Sequence, residues 1–284
     1  MSDAMTAANR YFRAGRTALA LTAMLSLAAC STTEPLSSLA PIDAAQGSEE
    51  NIASLTAVIE RTPNDPEGYN IRGSAYGRAG QYREALRDFD QAIALDPRSF
   101  RAYANRALIH RYMGDQQKAL ADYNKAIELN PRYDAAYIGR GEIYRLAGRT
   151  SDAFSDFEQA IQLDTTDPRA YYRRGLLYQA SNQHQFAIED FASAISLAPS
   201  QPYAYNGRGL SYLAIGDEEN AFSDFNTAIR LNEDLAESWA NQALVYEGRG
   251  ENDRAARSYA RALQLDPEYA PAREGLARTK GSSV

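Results

Sequence analysis

The sequence predicts an all-α protein, a solenoid of antiparallel helix pairs, and three observations carry that reading. Small and aromatic residues fall into columns that recur every 34 residues with no insertion. Inside each period they are spaced three or four residues apart along two stretches, which is the spacing of a helix face. Gly or Asn ends the first stretch and Pro follows the second in most periods, and these residues stop helices. A fixed period between 20 and 50 residues marks stacked units that share one continuous core.

From the N-terminus, residues 1–29 read as a sorting signal. Arg10, Arg13 and Arg16 precede an apolar run from Thr17 to Ala29, shorter than the roughly 20 residues that cross a bilayer as a helix. A basic region, a short apolar region and small residues at the end describe a secretory signal. The Arg residues lie far in, so Met5 is an alternative start. Residues 30–48 are rich in Ser, Thr, Ala and Pro without helical period, a flexible tether. Residues 49–65 contain one amphipathic stretch, a degenerate half-unit. Six full units follow over 66–269: 66–99, 100–133, 134–167, 168–201, 202–235 and 236–269. Residues 270–284 give a closing helix, with Leu276 as its main apolar contact, and a short tail. An array needs such a cap because its last unit has no neighbour to cover it.

Numbering each unit from its first residue, position 4 is Tyr69, Tyr103, Tyr137, Tyr171, Tyr205 or Trp239. Position 20 is Ala85, Ala119, Ala153, Ala187, Ala221 or Ala255. Position 24 is Phe89, Tyr123, Phe157, Phe191, Phe225 or Tyr259, and position 27 is always Ala. Gly73, Gly141, Gly175 and Gly209 at position 8 let the two helices approach beside the large ring. Together these columns resemble the tetratricopeptide repeat. The resemblance covers roughly 204 of the 284 residues and implies a right-handed superhelix. Thr165 and Glu233 stand in place of the family's Pro, His110 in place of Tyr, and Asn182 in place of the loop Gly.

Position 7 is Arg in five units and position 23 is Asp in the same five: Arg72 and Asp88, Arg106 and Asp122, Arg140 and Asp156, Arg174 and Asp190, Arg208 and Asp224. The sixth unit has Gln242 and Ser258, losing both together. Joint loss is the behaviour of partners, since an orphaned buried charge is costly. An Arg stripe can line a phosphate site, but matched carboxylates point instead to structural ion pairs, within a unit or between adjacent ones.

Near the N-terminus, Leu27-Ala28-Ala29-Cys30 resembles the bacterial lipobox. The resemblance implies that Cys30 is diacylated, cleaved free of residues 1–29 and acylated again, with palmitate among the chains. Two chains already suffice for stable anchoring, at about 0.8 kcal/mol per buried methylene. Ser31 beside the lipidated residue implies the outer membrane, facing the periplasm, because Asp there retains lipoproteins at the inner membrane in enterobacteria.

Composition excludes several functions. The formal net charge is −7, and −9 without the signal, whereas nucleic-acid binding wants a basic surface. One Cys and two His make neither a disulfide framework nor a persuasive zinc site. No Ser-His-Asp order, phosphate loop or Cys-His pairing is present. No catalytic residue, metal or cofactor is therefore expected.

The resemblance also implies that the first helix of each unit lines a concave groove through positions 2, 5, 6, 9, 12 and 13. That assigns to a partner-binding groove Asn70, Arg101, Asn105, Leu108, Arg111, Tyr112, Ile138, Arg145, Arg169, Tyr172, Arg173, Leu176, Tyr203, Asn206, Leu210 and Asn241. A groove of Arg, Tyr and Leu in an acidic chain suits extended or helical peptides with acidic and apolar side chains. The carboxylate clamp by which some relatives grip chaperone tails is absent: Ala104, Leu108 and Gly139 occupy its Lys and Asn positions.

The function expected is an envelope adaptor. It resembles outer-membrane lipoproteins with these repeats that bring peptidoglycan hydrolases, proteases or other envelope machines together. The alternatives are a pilotin-like assembly factor for a secretion or pilus system, and an envelope enzyme, which would need a pocket of clustered carboxylates. Homodimerisation through exposed helix faces or termini is a further expectation of such arrays.

Overall fold

The structure is a computed structural model that describes residues 44–281. The lipobox and Cys30 lie outside the described residues, as does the tether up to residue 43. Every regular element among the described residues is helical. A short 3-10 turn, Ala44–Gly47, leads into α1 (Glu49–Arg61), whose N-cap Ser48 accepts a hydrogen bond from the Asn51 N–H. Six helix pairs follow: α2 (Pro66–Arg78) with α3 (Tyr82–Leu95), α4 (Phe100–Tyr112) with α5 (Gln116–Leu129), and α6 (Asp134–Leu146) with α7 (Thr150–Leu163). Then come α8 (Pro168–Ala180) with α9 (His184–Leu197), α10 (Pro202–Ala214) with α11 (Glu218–Leu231), and α12 (Ala236–Gly248) with α13 (Asn252–Leu265). The last helix is α14 (Ala270–Gly281). The first member of each pair is called helix A below, the second helix B.

Local chemistry sets these boundaries. Asp65 and Asp167 cap α2 and α8 by accepting backbone N–H bonds, with Pro66 and Pro168 next, where a missing N–H costs nothing. Helices A and B are joined through a residue of positive φ: Gly80, Gly114, Gly148, Gly216 and Gly250, with Asn182 at φ 56° in the fourth pair. Asn is one of the few side-chain-bearing residues that enter this region readily. After helix B, in every pair but the fourth, where Ala198 stands, the chain turns through an Asp or Asn whose side chain accepts the N–H two residues on, as Asp96 does from Arg98 at 2.9 Å. The position 4 aromatic fastens that turn. Tyr69 donates to the Pro63 carbonyl, Tyr137 to that of Pro131, and the Trp239 indole to that of Glu233.

The core of each pair is completed by the next A helix, as Ile109 packs with Ala85 and Phe89 and Val245 with Ala221 and Phe225. The position 24 ring is at most 3% exposed in all six units, and burying such a ring contributes about 1.5–3 kcal/mol. A Cβ on Gly73, Gly141, Gly175 or Gly209 would come within about 3 Å of the ring of its own unit, so close approach is what requires glycine there. The two Tyr units differ. They carry Ala107 and Ala243 at position 8, and their rings instead fill the space over Gly139 and Gly275, position 6 of the segment that follows.

The Arg–Asp pairs form within each unit. Arg72, Arg106, Arg140, Arg174 and Arg208 each place Nε and Nη2 on both oxygens of their Asp at 2.7–2.9 Å. Some also reach helix B of the preceding unit: Arg106 bonds Asp90 and Arg140 bonds Asn124, both at 2.7 Å. Arg72 reaches Thr56 of α1 in the same way, so α1 stands where a preceding helix B would. In the sixth unit Ser258 donates to Gln242, and Gln242 to Asn226. The ion pair is replaced there by a neutral chain of hydrogen bonds on the same framework.

Candidate functional site: the groove of A helices

Consecutive A helices touch one another from α2 through α12 to α14, whereas no B helix touches the next. The A side is therefore the inner, more closely packed face, and the B side is the outer one. Positions 2, 5, 6, 9, 12 and 13 of the A helices face this interior, but they do not make a uniformly open surface.

Several residues expected to meet a partner instead join neighbouring helices. Asn70 and Asn241 are buried. The Asn105 amide donates to Asn70 at 2.9 Å and to Ser74 at 3.3 Å. At the other end Asn206 accepts from Asn241 at 3.0 Å and from Ser238. The amides thus stitch α2 to α4 and α10 to α12, because a buried amide must find partners and the adjacent helix supplies them. Tyr172 is buried, with its ring 5.8 Å from that of Phe191. Leu176 and Tyr203 pack on the same cluster, and Leu210 packs on Phe225. Arg101 is exposed, its guanidinium 5.3 Å from the Phe100 ring centre.

The remaining residues converge in the middle of the array. A pocket of about 320 Å³ opens between α4, α6 and α8, the lower end of the size range for ligand sites. Leu108, Tyr112 and Ile138 form its apolar wall, and Arg111, Arg169 and Arg173 bring cations to it. Gly139 lines it as bare backbone, and the space a side chain there would need is taken by the Tyr123 ring. Ile138 is 7% exposed and also packs into the core, so it is wall more than contact surface.

Sequence reasoning missed the charge at the centre of this pocket. Glu142 is 5% exposed, yet it is charged. Arg145 grips both its oxygens at 2.8 and 2.9 Å, and Arg173 Nη1 stands 3.2 Å away. Burial pushes the Glu142 carboxyl up, but the pull of Arg145, Arg173 and Arg111 outweighs it and holds the group below the ordinary carboxylate range. Arg169 is tied to Asp167 at 2.5 Å. Arg111 lies with its guanidinium 4.8 Å from the Tyr112 ring centre, and among the described residues no carboxylate is within ion-pair distance of it. Its Nε is buried without a hydrogen-bond partner. Burial raises Tyr112 and pushes Tyr123 up to about 12, so both hydroxyls keep their protons at neutral pH. Glu142 stands at position 9, one of the groove positions, where four other units carry Leu, so its position in the repeat and its place one turn from Arg145 were the signals that could have exposed it.

His110 is half-buried in its Tyr column, and desolvation lowers its pKa. Among the described residues no group of three His, Cys, Asp or Glu is placed to hold a metal, and no helix is long and apolar enough to cross a membrane.

Comparison with known proteins agrees with this architecture. Models of the tetratricopeptide repeat match residues 66–99, 100–133, 172–236 and 236–269, and a further TPR repeat model matches 141–182. A heat shock protein sti1 homolog of Schizosaccharomyces pombe is 38% identical over 56 residues, which is 20% of this chain and 10% of that protein. The aligned stretch is therefore about a tenth of that relative. Among solved structures, the APC/C hetero-tetramer Cut9-Hcn1 superposes with a TM-score of 0.75 at 20% identity, covering 82% of this chain and 46% of that one. PilW, described as a widely conserved type IV pilus biogenesis factor, superposes with a TM-score of 0.65 at 21% identity, over 76% of this chain and 98% of its own.

Proposed function

This chain belongs to the tetratricopeptide repeat family, and from that membership we propose a lipid-anchored interaction scaffold of the bacterial envelope that holds peptide segments of other proteins in the groove of its A helices. The observation that carries the reading is the pocket between α4, α6 and α8, where cations and aromatic rings meet on the inner face. Arg and Tyr are the residues that dominate binding energy at protein interfaces. The chain performs no catalysis in this reading. The anchor rests on Leu27-Ala28-Ala29-Cys30, and the outer membrane on Ser31.

Two experiments test it. Full chain cross-linked in a native envelope extract should recover partners that an Arg111→Gln, Tyr112→Ala variant of unchanged circular dichroism loses. Equal recovery by both would move binding away from the groove. Cells fed labelled palmitate should label the wild type and not Cys30→Ser, and the variant should leave the membrane fraction. A Cys30→Ser protein that stays in the membrane would remove the anchor from the reading.

The likeness to PilW favours a second reading, a pilotin-like factor that escorts a secretion or pilus component to the outer membrane. Deleting the gene should then mislocalise one oligomeric outer-membrane partner, and broad envelope defects without such a loss would favour the general scaffold.

A further inference from the structure

In the pocket over Gly139, Arg111 is the cation that no carboxylate holds among the described residues, and its Nε is buried without a hydrogen-bond partner. Arg145 grips Glu142 with Arg173 3.2 Å away, and Arg169 is held by Asp167. Like charges crowded in a partly desolvated site repel, and an added anion relieves that repulsion. Arg111 is also held in place before any partner arrives, its guanidinium 4.8 Å from the ring centre of Tyr112, whose ring stacks on Tyr82 with 9° between planes. A fixed guanidinium loses less entropy when it binds a carboxylate.

The shape of the site narrows the choice of anion. Leu108, Tyr112 and Ile138 give an apolar wall suited to methylene groups, with the cations beyond it. The amide that could hold the last peptide bond of a chain terminus is Asn105, and its hydrogens already go to Asn70 and Ser74. Building on the proposed groove-binding function, we propose that this pocket receives an internal glutamate side chain of an extended partner segment, its stem against Leu108 and Tyr112 and its carboxylate on Arg111.

The test uses full chain in detergent micelles and three pools of fluorescent seven-residue peptides with mixed flanking residues. Two pools are amidated and carry Glu or Gln at the centre. The third carries Ala at the centre and a free terminal carboxylate. The Glu pool should be retained at least about ten-fold more strongly than the Gln pool, as loss of a charge-assisted bidentate contact implies. Arg111→Gln should erase that preference without changing the circular dichroism spectrum. Raising the salt concentration should shrink it. Equal retention of the Glu and Gln pools would overturn the assignment and leave groove binding standing. Stronger retention of the free-terminus pool would overturn the choice of an internal side chain. No retention of any pool would overturn both this assignment and the groove function on which it rests.

Discussion

Asp156 and Arg140 show what one residue pair does in this chain. The carboxylate is buried and the guanidinium is one-fifth exposed, and they meet through two parallel hydrogen bonds. Asp156 raises the Arg140 pKa through those bonds. Removing the Asp alone leaves a cation without its partner, so Asp156→Ser should destabilise by about 3 kcal/mol. The double variant Arg140→Gln, Asp156→Ser copies the neutral pair of the sixth unit, and urea unfolding should find it more stable than the single variant. A double variant less stable than the single would show that the neutral chain does not transfer to this unit, although Asn124 stands where Asn226 stands for the sixth. Glu142 makes a different demand. Its pKa is depressed, so its charged form stabilises the fold at neutral pH, and that stabilisation disappears as the pH falls below the ordinary carboxylate range. Glu142→Gln should melt below wild type at pH 7, with the gap closing as the pH falls below the ordinary carboxylate range. A gap independent of pH would mean that the glutamate acts through packing alone. The Arg–Asp columns were legible because two residue types vanished together in one unit. Glu142 was not, because the Leu of four other units marks position 9 as apolar and its partners Arg145 and Arg173 share no column with one another.

The helix pair is the element, and its limits were written in punctuation. Gly or Asn of positive φ closes helix A, and an Asp or Asn turn closes helix B in every pair but the fourth, so most of the fold could be read from spacing. Asn182 replaces the usual Gly and accepts the strain at φ 56°. Asn182→Gly should raise the thermal midpoint slightly, while Gly114→Ala, at φ 81°, should cost about 1 kcal/mol or more. A neutral Gly114→Ala would mean the turn can relax. The contact between successive units could not be read from any single column. Tyr at position 24 goes with Ala at position 8 of its own unit and Gly at position 6 of the next segment, and only the structure places the ring between them. Gly139→Ala would drive a methyl group into Tyr123, an overpacking that should cost about 1–3 kcal/mol by chemical denaturation. The same residue lines the pocket, so packing and site share it. The groove residues were over-counted for a related reason. Position numbers say which way a side chain points, but not that a neighbouring Asn will consume the hydrogen bonds of Asn70 or Asn241.

Across the whole molecule, each helix pair rests on its neighbours and the two ends need covers. α1 substitutes for a helix B at one end, with Thr56 receiving Arg72. At the other, Ala272 is fully buried and Arg278 holds Glu247 at 2.8 and 3.0 Å. Tyr259 donates to the same carboxylate. Arg278→Ala should loosen α14 and the sixth pair first, visible as faster hydrogen exchange in α12–α14 with the first three pairs unchanged, since stability in such arrays spreads through adjacent contacts. Uniform acceleration along the chain would show that the array unfolds as one cooperative block.

The pairing of Tyr123 with Gly139 has an inheritance attached to it. Tandem arrays gain and lose whole units by unequal recombination, and every unit here looks exchangeable by length. Excising 134–167 would seat Tyr123 against Arg173, a guanidinium stem where a bare backbone is required. Excising 168–201 would seat Phe157 over Gly207, which already accommodates the ring of Phe191. The order of the units therefore obeys a rule of succession: one kind of deletion yields a shorter folded protein and the other a broken one, so lineages descending from this gene can shorten at the fourth unit but not at the third.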